Sequence, residues 1–301
     1  PAAAFPSAGA FPSPGGPPAG LPVAGTAFGD TAPVAALRGR LVVDLSSLWA
    51  GPLCTHLLQL AGARVVKLES RQRPDGARNG PTAFFDLLHG GQESVALDFS
   101  DEDGRAALRT LIAAADVVVE ASRPRALEQL GVFAEEVLRS GGTGTDPRAA
   151  GGASSADPRR TGGSDAGPKV WLSITGYGRQ GPGRNAIAFG DDAAVAGGLV
   201  ARDESGPCFL ADAVADPCAG IVGAAAVLEA LAAGGRWLLD VSLQGVAAHL
   251  AGSDPGGTAV DRRDDPPDGL AAEPPRARSA SSRAPRLGEH TEQVLAELRS
   301  R

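Results

Sequence analysis

The chain has 301 residues, with 28 Lys and Arg against 35 Asp and Glu, a formal charge of −7, three cysteines and no methionine. That balance argues against a nucleic-acid-binding face. The longest apolar run, 211–231, is broken by Asp212, Asp216 and Pro217, so no span of membrane length is expected. The length is enough to bury a substantial core in one or two domains. Cys54, Cys208 and Cys218 lack metal-ligand spacing, and their odd number speaks against a disulfide framework. Reduced thiols, a cytoplasmic location and no metal are therefore expected. Because the first residue is Pro and Met is absent, the chain is expected to be a piece of a longer protein.

Three stretches are predicted to be unstructured, since Ala, Pro, Gly, Ser and charged residues bury too little apolar surface to offset ordering entropy. They are residues 1–35, the Gly/Ser/Asp/Arg insertion 141–167, and the Pro/Gly/Arg/Asp linker 252–285. The domain expected between them is 36–251, with a C-terminal helix in 286–301. Strands and helices alternate within it. Residues 40–45 are a short apolar run suited to a buried parallel strand. Pro52 opens a helix through Leu60 that Gly62 closes. Residues 64–68 form a second strand, 94–99 a third, and Ser100-Asp101-Glu102-Asp103 caps a helix running to Ala114 with acidic residues at the positive end of its dipole. A strand at 116–120, a helix over 126–138 and a strand at 170–174 follow. A helix over 213–232 precedes a strand at 236–241. This order predicts an α/β fold: a Rossmann-like parallel sheet with helices on both faces and right-handed crossovers.

Ligands of such sheets lie beyond the carboxyl ends of the strands. Neither GxGxxG nor a P-loop follows the first strand. Ser46-Ser47-Leu48-Trp49-Ala50-Gly51-Pro52 stands there instead, a turn of small residues leading into a helix N-terminus able to receive a phosphate. An ordinary tight β–α turn has the same composition. Val214-Ala215-Asp216-Pro217-Cys218-Ala219-Gly220 places one carboxylate, with no Lys or Arg beside it, at the mouth of an Ala/Gly-rich helix. An N-cap at Asp216 with Pro217 at the first helical position is one reading. Asp191 and Asp192 start another helix.

Several segments in order resemble the family III CoA-transferases and the related α-methylacyl-CoA racemases. Residues 37–70 (LRGRLVVDLSSLWAGPLCTHLLQLAGARVVKLES) are similar to the family's opening strand, AGP-type turn, helix and GAxV[IV]K[IV]E strand. Ser94 to Asp98 resembles its next strand, with Gln92-Glu93 where basic residues are usual. Residues 116–124 (DVVVEASRP) match its ADxxxEN block, Ala121-Ser122 replacing the Asn-aromatic pair. Ser173-Ile174-Thr175-Gly176-Tyr177-Gly178 with Gly181-Pro182, and Leu287-Gly288-Glu289-His290-Thr291 near the end, resemble two further signatures.

The resemblance implies coenzyme A, bound as an acyl-CoA substrate, beside Trp49 and Ala50. Ser70 or Arg71 would lie near its phosphates or adenine, Leu97 and Asp98 along the nucleotide, and Ala121, Ser122 and Arg123 after the following strand. It implies that Asp216 is the nucleophile, forming an aspartyl-CoA thioester between an acyl-CoA donor and a carboxylic acid acceptor, with small residues Ala215, Ala219 and Gly220 leaving room for backbone donors. Asp191 or Asp192 stands where the racemases carry a His that works opposite the later Asp. A homodimer, or pairing with a second CoA-transferase chain, is implied too. The short interval before Leu287 implies that the family's second, small domain is largely missing. An α-methylacyl-CoA racemase-like enzyme and a non-catalytic CoA-binding or dimerisation module remain the alternatives.

Overall fold

The computed structural model describes residues 21–29, 31–141, 167–252 and 278–300. Strand β1 (Ala24–Ala27) is followed by β2 (Leu41–Asp44), helix α1 (Ala50–Leu60), β3 (Arg64–Ser70), α2 (Thr82–His89), β4 (Glu93–Leu97), α3 (Glu102–Ala114) and β5 (Val117–Glu120). Next come α4 (Pro124–Glu128), α5 (Ala134–Ser140), β6 (Val170–Thr175), α6 (Gly190–Ala196), and the strands β7 (Val200–Asp203) and β8 (Gly206–Phe209). Helix α7 (Ala215–Ala233), β9 (Trp237–Ser242), α8 (Leu243–Leu250) and α9 (Thr291–Arg299) complete the order.

Seven strands form one sheet in the order β1-β9-β6-β5-β2-β3-β4. All neighbours pair in parallel except β1, which runs antiparallel on β9. The parallel part is the doubly wound order: the chain adds β3 and β4 on one side of β2, then returns to add β5, β6 and β9 on the other. Alternation along each strand supplies two cores. Val42, Val117, Val119 and Leu172 face α1, α6, α7 and α8, while Val43, Val118 and Trp171 face α3, α5 and α9. β7 and β8 make a separate two-stranded ribbon.

The α/β class expected from the sequence is the one observed. Three local expectations are corrected. The stretch 1–35 is ordered at its end: β1 pairs with β9, and Val23 and Val34 are buried. An edge strand shared between sheet and solvent has little periodicity to betray it, and β1 shows the exposed pattern of such a strand. Within 252–285, residues 278–285 are also placed; Ala284 is buried and its amide donates to Asp86 Oδ1 at 2.8 Å. The helix expected over 126–138 is two helices, because Gly131 turns the chain with φ +74° between α4 and α5. Residues 1–20, 142–166 and 253–277, on which the other expectations of disorder fall, lie outside the described residues.

Helix α7 departs from the expectation that no span reaches membrane length. Its 19 residues, with a mean hydropathy of 1.5, are by length and composition enough to cross a bilayer. Here its apolarity has a packing role: Ala215, Ala219, Ala224, Ala226, Val227 and Leu231 are buried in the core beneath the sheet. The approach to α1 is closest at Gly220, where a Cβ would stand 2.6 Å from the Ala50 carbonyl oxygen and 3.1 Å from Leu53 Cβ.

Candidate active site

The strand order reverses at β2 and β5, so the crevice beyond their carboxyl ends is the place a ligand is expected. Two segments meet there, 45–49 after β2 and 121–123 after β5. A Cβ on Gly51 would overlap the Ser46 side chain and stand 3.6 Å from Ala121 Cβ, so the α1 N-terminus is in contact with both. The turn is fixed from below by buried charges. Asp44 accepts from the Ser46 amide at 2.8 Å and from Thr55 Oγ1 at 3.0 Å. Lys67 Nζ donates to the Ser46 carbonyl at 3.0 Å and pairs with Asp75 at 2.9 Å. Asp75 Oδ1 in turn accepts from the Leu48 amide at 3.0 Å, holding Leu48 at φ +70°. Burial pushes the Asp75 carboxyl upward, but Lys67 and the two backbone amides outweigh it and hold the group ionised below its usual range. A buried cluster of paired charges bonded to backbone groups makes the backbone of the turn rigid. Trp49 packs edge-on against Phe84, ring centres 5.3 Å apart.

Asp216 lies one helical turn before Gly220 on α7, and so about 5–6 Å along the axis from the Ala50 contact. It is not the cap of that helix. Val214 holds the cap position and Asp216 falls in the first turn. Its Oδ2 instead reaches across to accept from the Gly190 amide at 3.1 Å. The return contact runs the other way: Asp191 Oδ1 accepts from the Ala213 amide at 2.7 Å. Ala213 sits at φ +42°, and among the described residues it and Leu48 are the two non-glycine residues at positive φ. Both therefore border the candidate site, and each is held by a carboxylate. Gly190 has to be glycine, since a Cβ would overlap the Ala213 carbonyl and stand 2.6 Å from Asp216 Oδ2. Burial first, then the Asp191 and Asp212 charges, push the Asp216 carboxyl up to about 6 against the opposing pull of the Gly190 N–H.

The sequence-predicted residues fall into three groups. Trp49, Ala50 and Ala121 gather at the switch point, with the exposed Arg123 and half-buried Ser122 next along the chain; Asp216 and Asp191 meet one turn away on the α6–α7 side. Asp192 accepts from the Phe189 amide at 3.3 Å and caps α6. Ser70, Arg71, Leu97 and Asp98 sit at the ends of β3 and β4. Arg71 donates to the Ala96 carbonyl at 3.2 Å and borders a cavity of about 420 Å³ with Gly288, Thr291 and Glu292. Asp98 accepts from the Ser100 amide and hydroxyl, which hold its carboxyl below the usual range. Leu97 is 4% exposed and its side chain belongs to the core, so only its backbone can border a ligand. The room expected at Ala219 and Gly220 is filled by α1. Gly190, Ala213 and Asp212 escaped the sequence reading. The glycine ahead of two aspartates was the available signal, but its partner lies 26 residues away. Among the described residues no cluster of His, Cys, Asp or Glu could hold a metal ion.

A doubly wound sheet with a half-buried carboxylate in the first turn of α7, on which no cation acts among the described residues, defines the class of protein as α/β. A sequence profile described as CoA-transferase family III matches residues 37–140. An acyl-CoA transferase from Fusarium pseudograminearum is 30% identical over 219 residues, 67% of this chain and 42% of the relative. An acetyl-CoA:oxalate CoA-transferase from Acetobacter aceti is 35% identical over 107 residues, 34% of this chain and 28% of the relative. A crystal structure of a hypothetical protein from Mycobacterium tuberculosis superposes with a TM-score of 0.58 and 25% identity, covering 73% of this chain and 58% of the other. A CAIB/BAIF family protein from Brucella suis, at 23% identity and TM-score 0.54, shares the fold. The chain thus spans less than half the length of these curated relatives.

Proposed function

We propose that this chain transfers CoA from an acyl-CoA to a carboxylic acid through Asp216. The observation that carries the reading is the environment of that carboxylate: half-buried, with no cation acting on it among the described residues, and held by the Gly190 N–H one helical turn from the α1 N-terminus. A structural carboxylate is ordinarily paired or caps its own helix; this one does neither. The relatives' names, which include oxalate and D-citramalate CoA-transferases, support the same reaction class.

In the proposed sequence an Asp216 oxygen attacks the thioester carbonyl of the donor. The C–S bond breaks, CoA thiolate departs and a mixed anhydride forms. The thiolate then attacks the aspartyl carbonyl, which releases the donor acid and leaves an aspartyl-CoA thioester. An acceptor carboxylate attacks that thioester, again expelling thiolate, and the thiolate takes the acceptor acyl group from the second anhydride. Asp216 is regenerated. Only a carboxylate can form both anhydride and thioester. The switch-point turn, rigid through Asp44, Lys67 and Asp75, would hold the nucleotide portion beside Trp49, Ala50 and Ala121, with Arg123 free for phosphate among the described residues. The reading includes a cytoplasmic location, consistent with three unpaired cysteines, and assembly with a second copy or a second CoA-transferase chain.

Intact-protein mass spectrometry after incubation with acyl-CoAs tests it. A CoA-sized or acyl adduct that disappears with hydroxylamine, and in both Asp216→Ala and Asp216→Asn, is expected. Its yield should rise with pH through about 6 as the nucleophile ionises. CoA binding without an adduct would instead favour a racemase or a non-catalytic module. Solvent deuterium entering the acyl α-carbon without an acceptor would identify the racemase.

A further inference from the structure

We propose that the Asp216 site selects acceptor acids with a single carboxylate and an apolar body, and discriminates against dicarboxylates. This rests on the CoA-transfer reading and adds the class of substrate. The charges that act on Asp216 are Asp191 and Asp212, both negative, and Asp192 follows directly in the first turn of α6. No Lys or Arg among the described residues acts on it. The arginines of the segment between β6 and α6 are committed elsewhere: Arg179 donates to Glu120 at 2.8 Å and Glu135 at 3.2 Å, and Arg184 to Glu128 at 2.6 Å. On α7 the next charge is Glu229, thirteen positions beyond Asp216, and α8 brings only His249 near its far end.

The two chain segments that reach this carboxylate are apolar just before they turn acidic. Ile187 and Phe189, 65% and 54% exposed, precede Gly190 and Asp191. Phe209 and Leu210, 62% and 53% exposed, precede Asp212 and Ala213. In the proposed complex the acceptor brings one carboxylate to the reacting carbon and lays its body over these exposed side chains. A second carboxylate would lie near Asp191 and Asp212, and no guanidinium among the described residues acts on Asp216 to offset them; in a partly buried site that repulsion is poorly screened. Burying the apolar body is favourable; burying the extra charge is not.

The test forms the aspartyl-CoA adduct with hexanoyl-CoA or succinyl-CoA, then follows its discharge by mass spectrometry with hexanoate or oxalate at equal concentration. Discharge to hexanoate at least tenfold faster than to oxalate is expected. Asp212→Asn, which removes an exposed charge, should narrow that ratio severalfold, and 0.5 M KCl should narrow it in the wild-type protein. Equal or faster discharge to oxalate, adduct from succinyl-CoA alone, or a ratio untouched by both the substitution and salt overturns the proposal while leaving CoA transfer standing. Adduct from neither thioester overturns both.

Discussion

At Asp216 burial and two neighbouring carboxylates favour the neutral acid, while a single backbone N–H favours the anion, and the balance places its titration near 6. The unfolded chain titrates near the ordinary 3.8. A carboxylate raised on folding stabilises the protein below about pH 4 relative to its cost above pH 6, where the native state must hold an ionised group in a partly desolvated place. Asp216→Asn keeps an oxygen to accept from Gly190 and removes the charge. It is expected to be more stable than wild type by about 1–2 kcal/mol at pH 8, allowing for partial exposure. The difference should fade between pH 6 and 4, as thermal melts across that range would show. A variant stabilised equally at pH 4 and pH 8 would mean that packing, not charge, sets the effect. The neighbouring glycine gives the opposite result. Gly190→Ala forces a methyl against the Ala213 carbonyl and Asp216 Oδ2, so a loss of roughly 1–3 kcal/mol is expected, together with loss of the acyl or CoA adduct. Urea titration beside the mass measurement checks both.

The segment Leu287 to Thr291 shows how an element's role can hide behind a motif. As sequence it was a resemblance with no physical assignment. In the structure it covers the open edge of the sheet. His290 Nδ1 accepts from the Ser94 amide at 3.1 Å, the His290 amide donates to the Ser94 carbonyl at 2.9 Å, and Thr291 Oγ1 accepts from the Ala96 amide at 3.0 Å. These are the ladder groups that an edge strand leaves unpaired and that invite pairing with another chain. Arg64 ties the same region together, bonding Glu93 on β4 and Glu297 on α9. Thr291→Val removes the acceptor for a buried amide at nearly constant volume, so a loss of about 1–3 kcal/mol is expected, with Thr291→Ser restoring most of it. Denaturant midpoints for the three proteins decide the matter; equal midpoints for Val and Ser would show that the edge is closed by packing alone. The sequence could not display this contact because the partners are some 195 residues apart. The α1, α3 and α7 helices were legible, by contrast, because their signals are local: Gly62 after α1, the acidic cap at Asp101 on α3, and the long apolar run of α7 ending at Gly234. Helix α7 still misled at its start: Asp216 followed by Pro217 looks like a cap, and only the tertiary bond to Gly190 shows that it is not.

Over the whole molecule, legibility followed burial. The central strands β2, β5 and β6 are buried at every position, and runs such as VVV and VWLSI announce them. β1 and the β7–β8 ribbon alternate between exposed and half-exposed residues, and no apolar pattern marked either. The same gradient governs local stability, because amides in the central strands exchange only when the packed cores on both faces open, whereas a two-stranded ribbon is marginal by itself. Native-state hydrogen exchange is expected to show the slowest amides at Val42, Val43, Val118 and Leu172 and fast exchange through 200–209, with β1 intermediate on its single paired edge. The ribbon follows α6 and leads back toward Asp216, so its behaviour bears on the site as well as the fold. Fast exchange there that slows when an acyl-CoA is added would place the ribbon over the bound ligand. Protection equal to β5 in the free protein would mean that 200–209 is covered in solution by a second chain, and the exposed Phe209 and Leu210 would then belong to an interface instead of receiving the acceptor's apolar body as proposed above.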